Sequence, residues 1–304
     1  MHETKEDGPV SPFKSNSFYF VELFSGSGRL SAAMKRRGFS VFPVDHEFNT
    51  HNTAVSTISL NLQDEKSQQL VESMITQIKP AVIHLGLPCG TCSRARDKPL
   101  PEHLRAQFHD PPPLRDANNL LGYPDLPGIQ AVKVQTANDL YRWGVKVLYI
   151  CFRHNIKVSI ENPERSWLWG VLTLLVRQYE DQAFMEWFEN LDRVTFHMCM
   201  HGGRRAKNTR LLATPNLYSQ LAVACDAKHD HAPWGITKLG NSLQYDTAAE
   251  AEYPPLLCQR MADLLAEAVQ LPLPPARATT SSTSRRVLGN HVKQALRWCL
   301  SLQP

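Results

Sequence analysis

FYFVELF at residues 18–24, running through SGSG at 25–28 into RLSAAMKRR at 29–37, is the stretch that decides the fold class. Phe18 to Phe24 has the aromatic and aliphatic composition of a β-strand. Gly26 and Gly28 permit a tight turn, and Leu30 to Arg37 reads as a helix stopped by Gly38. Working outward, Ser40 to Val44 reads as a second strand closed by Asp45, and Gln68 to Ile78 has helical periodicity. Ala81 to Leu85 is a third, buried strand that runs into Gly86 and Pro88. Strands alternating with helices in this rhythm predict an α/β protein with a doubly wound, mostly parallel sheet.

Further along, Lys98 to Gly128 is rich in proline, with DPPPLRD at its centre, and reads as a long surface loop. A helix from about Ala131 to His154, a strand from Lys157 to Ile160, a helix from about Val171 to Phe188 and a strand from Val194 to Met198 follow. Leu256 to Val269 is an amphipathic helix. The expected organisation is a flexible segment 1–16, one domain over 17–270 with a loop insertion at 98–128 and a recognition segment at 211–250, a Pro/Ser/Thr linker at 271–286 and a terminal helix within 287–304.

Composition narrows the class of protein. The 304 residues are 42% hydrophobic and 20% charged, which excludes a mainly disordered chain. No apolar stretch reaches membrane-spanning length, and residues 1–16 hold no apolar targeting core, so an intracellular protein is expected, nuclear in a eukaryote, without a membrane partner. Seven cysteines without framework spacing read as core residues, ligands or a nucleophile rather than disulfides. A net charge of +4 permits nucleic-acid binding without requiring it, and a monomer is expected.

Three strand-end motifs carry the chemistry. Glycines at a strand-to-helix turn let backbone approach a cofactor and aim helix amides at it, while an acid ending the next strand, here Asp45, sits where a ribose hydroxyl is accepted. Phe24, Ser25, Gly26, Ser27, Gly28 and Asp45 therefore form a candidate nucleoside-cofactor site; the plain alternative is a turn that needs glycine for geometry alone. GLPCGTCSRAR, residues 86–96, places Cys89 after a buried strand with Arg94 and Arg96 nearby to favour a thiolate; the alternative is half a zinc site made of Cys89 and Cys92. SIENP, residues 159–163, sets Glu161 at another strand end, either as an acid toward a base ring or as a helix N-terminal charge.

In this order and context, ELFSGSG, Asp45, Pro88-Cys89 and Glu161-Asn162 resemble the cytosine-C5 DNA methyltransferase family over about residues 18–210. The wording PCGTCSRAR looks most like the compact methylase-like domains of some eukaryotic mobile elements. The resemblance implies a methyltransferase-type sheet, S-adenosylmethionine as cofactor and DNA as partner. It makes Cys89 the nucleophile toward cytosine C6, Glu161 the hydrogen-bonding acid, Arg205 and Lys207 the basic pair, and Pro88 part of the cofactor wall. The acid that holds the adenine amino group falls at Asn61 or Asp64. The chain departs from the family at PCG for PCQ, ENP for ENV and GRRAK, residues 203–207, for QxRxR; the closing GN motif is echoed by Gly240-Asn241.

Arg94, Arg96, Arg204 and Arg210 extend the basic character toward nucleic acid, with solvated faces as the alternative. Cys199, Cys225, His229 and His231 form a candidate structural zinc set, against solvated histidines beside a buried cysteine. Two further functional readings stand beside DNA methylation: a degenerate methylase fold that binds nucleic acid without turnover, and an RNA cytosine-C5 methyltransferase.

Overall fold

The computed structural model describes residues 18–271 apart from 241 and 248. The expected segments 1–16 and 287–304, and the linker 271–286 beyond its first residue, lie outside the described residues.

β1 (Tyr19–Leu23), β2 (Ser40–Asp45), β3 (Ile58–Ser59), β4 (Val82–Leu85) and β5 (Lys157–Pro163) are parallel neighbours, and β6 (Asp192–His197) and β7 (Asn208–Ala213) extend the sheet in the order β3-β2-β1-β4-β5-β7-β6. β7 runs antiparallel to both β5 and β6. The doubly wound, mostly parallel α/β fold read from the sequence is the fold of the chain.

Strand alternation sorts side chains into two cores. Tyr19, Val21 and Leu23 of β1 join Val71 and Ile75 of α2 (Glu65–Ile78), Val147 and Leu148 of α4 (Gly128–His154), Leu172 of α5 (Leu168–Arg177) and Phe184 of α6 (Gln182–Glu189). Phe20 faces the other way, into Leu30 and Met34 of α1 (Arg29–Arg37) and Met261 and Leu265 of α7 (Pro255–Ala268). The sequence order reverses between β1 and β4. Open sheets of this kind bind ligands at the carboxyl ends of the strands beside that reversal.

Four expectations need correction. The single helix over 171–188 is two, because Glu180 takes a left-handed φ of 53° and Asp181 then caps α6 by accepting the Phe184 amide at 3.0 Å. The two-residue β3 was too short for periodicity to reveal. The segment 211–250 begins inside β7, so 211–213 belong to the sheet, and its own regular structure is the hairpin of β8 (Ile236–Leu239) and β9 (Ser242–Tyr245).

The Pro-rich stretch 98–128 is more than a surface loop. It contains α3 (Glu102–Arg105) and buries Leu100, Leu104, Leu114 and Arg115. The Arg115 guanidinium donates to the carbonyls of Thr91, Leu120 and Val134, to the Thr91 hydroxyl and to Asn138 Oδ1. Proline gives the stretch no ladder of its own, and one buried arginine ties it to the Cys89 loop at Thr91 and to α4 at Val134 and Asn138.

Candidate active site

The glycine loop turns as expected. Gly26 and Gly28 take φ of 51° and 63°, and Phe24, at φ 60°, takes up the left-handed region that costs a side-chain-bearing residue strain. Asp45 accepts the Gly26 amide at 2.6 Å and the His46 amide at 2.8 Å, locking the loop to the end of β2. Below the loop, Glu22 receives the Ser31 amide and hydroxyl, and burial pushes its carboxyl up to about 7.

A cavity of about 480 Å³ opens at these strand ends. Phe24, Asp45, Asn61 and Pro88 line it, together with His46, Leu60, Leu62, Arg96, Leu114 and Leu140. Ser25, Gly26, Ser27 and Gly28 shape the turn without lining the cavity. Asp64 is elsewhere: its exposed carboxylate caps α2 by accepting the Ser67 amide at 2.9 Å, which holds it below the usual carboxylate range. Of these two residues, Asn61 lines the cavity and Asp64 does not.

Cys89 is exposed, in the loop after β4. That loop is tied down on both sides: Tyr141 donates to the Pro88 carbonyl at 2.5 Å and Asn162 Nδ2 to the Leu87 carbonyl at 3.0 Å. The Asn of the Glu161-Asn162 pair thus positions the loop that carries Cys89. The crowded protein around Cys89 pushes its thiol up, the Glu161 carboxylate adds to this, and the Lys207 ammonium opposes it. Cys92 is fully buried in the core, with burial pushing its thiol up as well, which excludes it as an accessible nucleophile; the cluster of metal-type donors found among the described residues includes neither Cys89 nor Cys92.

The cation beside Cys89 is therefore Lys207 rather than Arg94 or Arg96. Arg94 stacks on Trp167 at 4.8 Å and pairs with Asp97, while Arg96 lines the cavity with its Nε buried and unpartnered. Lys207 Nζ lies 3.6 Å from Glu161 Oε1 and 3.2 Å from the Glu250 carbonyl. Arg205 is not free to hold a base. Its guanidinium is claimed by Glu250 at 2.7 Å, Asp246 at 2.8 Å and the Pro233 carbonyl, and it lies over the Trp234 ring. Of the outer arginines, Arg210 packs over Trp169 near Glu164, and Arg204 is exposed.

Sequence reasoning missed a buried polar relay behind Glu161. Ser159 Oγ lies 2.8 Å from His84 Nδ1, His84 Nε2 lies 2.9 Å from the Tyr253 hydroxyl, and Tyr253 donates to Glu161 Oε2 at 3.3 Å. Burial lowers His84 to about 3, so the ring is neutral, and burial raises Tyr253 well above the usual phenol range. The signal was present in part: His84 is the one polar residue of the apolar strand β4, and it pairs in register with Ser159, flanked by Val158 and Ile160 in β5. Cys199, Cys225, His229 and His231 do come together, with one ligand atom of each within 4.8 Å of the others.

No helix among the described residues is long and apolar enough to cross a membrane. No protein-family model and no curated protein matches the sequence. Among solved structures, the chain is similar to a methyltransferase of Entamoeba histolytica, EhMeth, at 11% identity over 66% of this chain and 53% of that one, with a TM-score of 0.35. It is similar to a substituted variant of Spodoptera frugiperda DNMT2 at 15% identity over 71% of this chain and 57% of that one, with the same TM-score. Each match spans little more than half of the other protein.

Proposed function

We propose that this chain is an S-adenosylmethionine-dependent methyltransferase that acts on cytosine C5 in DNA through a Cys89 adduct. One observation carries the reading: Pro88 lines the cavity at the glycine loop, and the next residue, Cys89, is exposed where Glu161 and Lys207 converge.

The residues fit the cofactor. About 480 Å³ falls within the range of roughly 300–1,000 Å³ usual for small-ligand sites. Leu60, Leu62, Leu114 and Leu140 offer an apolar wall for a purine ring, Asp45 retains acceptor capacity for ribose hydroxyls, and Arg96 offers a buried, unpartnered donor for a carboxylate. When bound, S-adenosylmethionine supplies an electrophilic methyl group.

Cys89, as the thiolate, forms a bond to cytosine C6, and the ring electron density that this releases makes C5 nucleophilic. Glu161 gives a proton to ring N3. The step takes Glu161 as the protonated acid: its negative charge appears only as the proton passes to N3, when the thiolate charge has already moved into the ring, and Lys207 is the cation beside both groups. Tyr253, held by His84, keeps the carboxyl oriented. After methyl transfer the C5 proton leaves to solvent, N3 returns its proton to Glu161, the bond from Sγ to C6 breaks, and Cys89 is released as the thiolate. A cytosine in a duplex has to be flipped out to reach this site, at a cost of a few kcal/mol.

The test is incubation with methyl-labelled cofactor and separate DNA and RNA substrates, followed by nucleoside analysis. Labelled 5-methylcytosine in DNA is the expected product. Label in RNA alone transfers the reading to an RNA substrate, and cofactor binding without label in either supports a degenerate binder. Gly26→Val, strained at φ 51°, and Asp45→Ala should both weaken cofactor binding in calorimetry; unchanged affinity in both would remove the cofactor site from this cavity.

A further inference from the structure

We propose that Cys199, Cys225, His229 and His231 hold one zinc ion in a closed structural site, apart from the cavity and from Cys89. Cys199 belongs to the 3-10 turn that follows β6, and the other three come from a single stretch of seven residues.

The spacing of the ligand atoms is that of a coordination shell. Cys225 Sγ lies 3.5 Å from His231 Nε2 and 3.8 Å from His229 Nε2, and the two Nε2 atoms are 3.1 Å apart. A tetrahedral ion with Zn–S of about 2.3 Å and Zn–N of about 2.0–2.1 Å requires S to N edges of about 3.6 Å and N to N edges of about 3.3 Å. Two thiols and two imidazoles in tetrahedral array select zinc among the divalent ions.

Two features outside the four ligands point the same way. His229 turns Nε2 to the cluster while its Nδ1 faces Asp226 Oδ1 at 3.5 Å, the carboxylate-histidine arrangement that fixes a ligating ring. Ala227 adopts a left-handed φ of 57°, and its amide donates to Cys225 Sγ at 3.3 Å, a bond suited to a thiolate that a metal holds deprotonated.

The consequence is mechanical. Backbone bonds from His197 to Val223 and from Ala232 to Arg204 lay the stretch 222–232 along the β6 and β7 connection, and between residues 222 and 235 every side chain is at least partly exposed. The metal supplies the fixation that burial does not. It thereby steadies the start of the segment whose Asp246 and Glu250 grip Arg205 and whose Glu250 carbonyl meets Lys207.

Elemental analysis of the full chain, purified without chelator, tests this. About one zinc per chain is expected in the native protein and in Cys89→Ser, and close to none in Cys225→Ser and His231→Ala. Should those two variants fail to fold, cobalt(II) added to the chelator-stripped native protein should give tetrahedral bands with thiolate-to-cobalt charge transfer, and only Cys199 and Cys225 should become protected from alkylation. Lack of zinc together with lack of those bands, a Cys199 to Cys225 disulfide, or undiminished zinc in a folded Cys225→Ser would overturn the proposal.

Discussion

The Pro-rich stretch 98–128 and the stretch 222–250 are both long, both poor in regular structure, and both reach the surroundings of Cys89, yet they are held by opposite means. The first is tied inward: Leu100, Leu104 and Leu114 enter the core, and buried Arg115 collects carbonyls from Thr91, Leu120 and Val134. The second is tied at the surface, by the Arg205 grip on Asp246 and Glu250 and by the Cys/His cluster, while Trp234 is left 51% exposed. Irregular backbone that can reach a core is fixed by hydrogen bonds made strong through burial. Where it cannot, charge pairs and metal-type donors have to do the fixing, and these loosen more readily.

The comparison predicts unequal consequences for the two arginines. Arg115→Leu strands several buried acceptors at once and should lower unfolding stability by about 3 kcal/mol in urea titration. A loss under about 1 kcal/mol would mean that the Pro-rich stretch holds itself without Arg115. Arg205→Ala should cost less, about 1–2 kcal/mol, because Asp246 and Glu250 are only partly buried and recover some hydration. Its signature should be local, with faster amide exchange over 233–250 and little change in the sheet; equal effects from both substitutions would break the contrast.

The smallest expected effect is on the thiol between the two stretches. The crowded protein around Cys89 and the Glu161 carboxylate raise its pKa and Lys207 lowers it, so alkylation of Cys89 should have a pH midpoint above that of an ordinary cysteine. Glu161→Gln removes a raising charge and should move the midpoint down. Lys207→Met removes the lowering charge and should move it up. Shifts in the opposite sense would show that these charges do not face the sulfur.

The difference between the regions also explains what could be read from sequence. The strand-end placement of Gly26, Asp45, Cys89 and Glu161 was legible because such turns sit at fixed offsets from apolar runs, and the grouping of Cys199, Cys225, His229 and His231 was legible because cysteine and histidine are rare enough to stand out. Arg115 was hidden: one arginine in a polar, proline-rich stretch looks solvated, and only the folded chain shows which carbonyls it must satisfy. Tyr253 was hidden for the same reason, lying 92 positions from Glu161 in sequence. The grip of Arg205 on Asp246 and Glu250 was also hidden, because these partners lie over forty residues downstream.

The most direct measurement of the central claim is covalent trapping on a duplex carrying 5-fluorocytosine in the presence of S-adenosylmethionine. Fluorine at C5 cannot leave as a proton, so the adduct formed after methyl transfer should persist through denaturing electrophoresis. A trapped complex is expected with the native chain and with Cys92→Ala, and none with Cys89→Ala. Trapping that survives Cys89→Ala, or a catalytically active chain that traps nothing, would contradict the account.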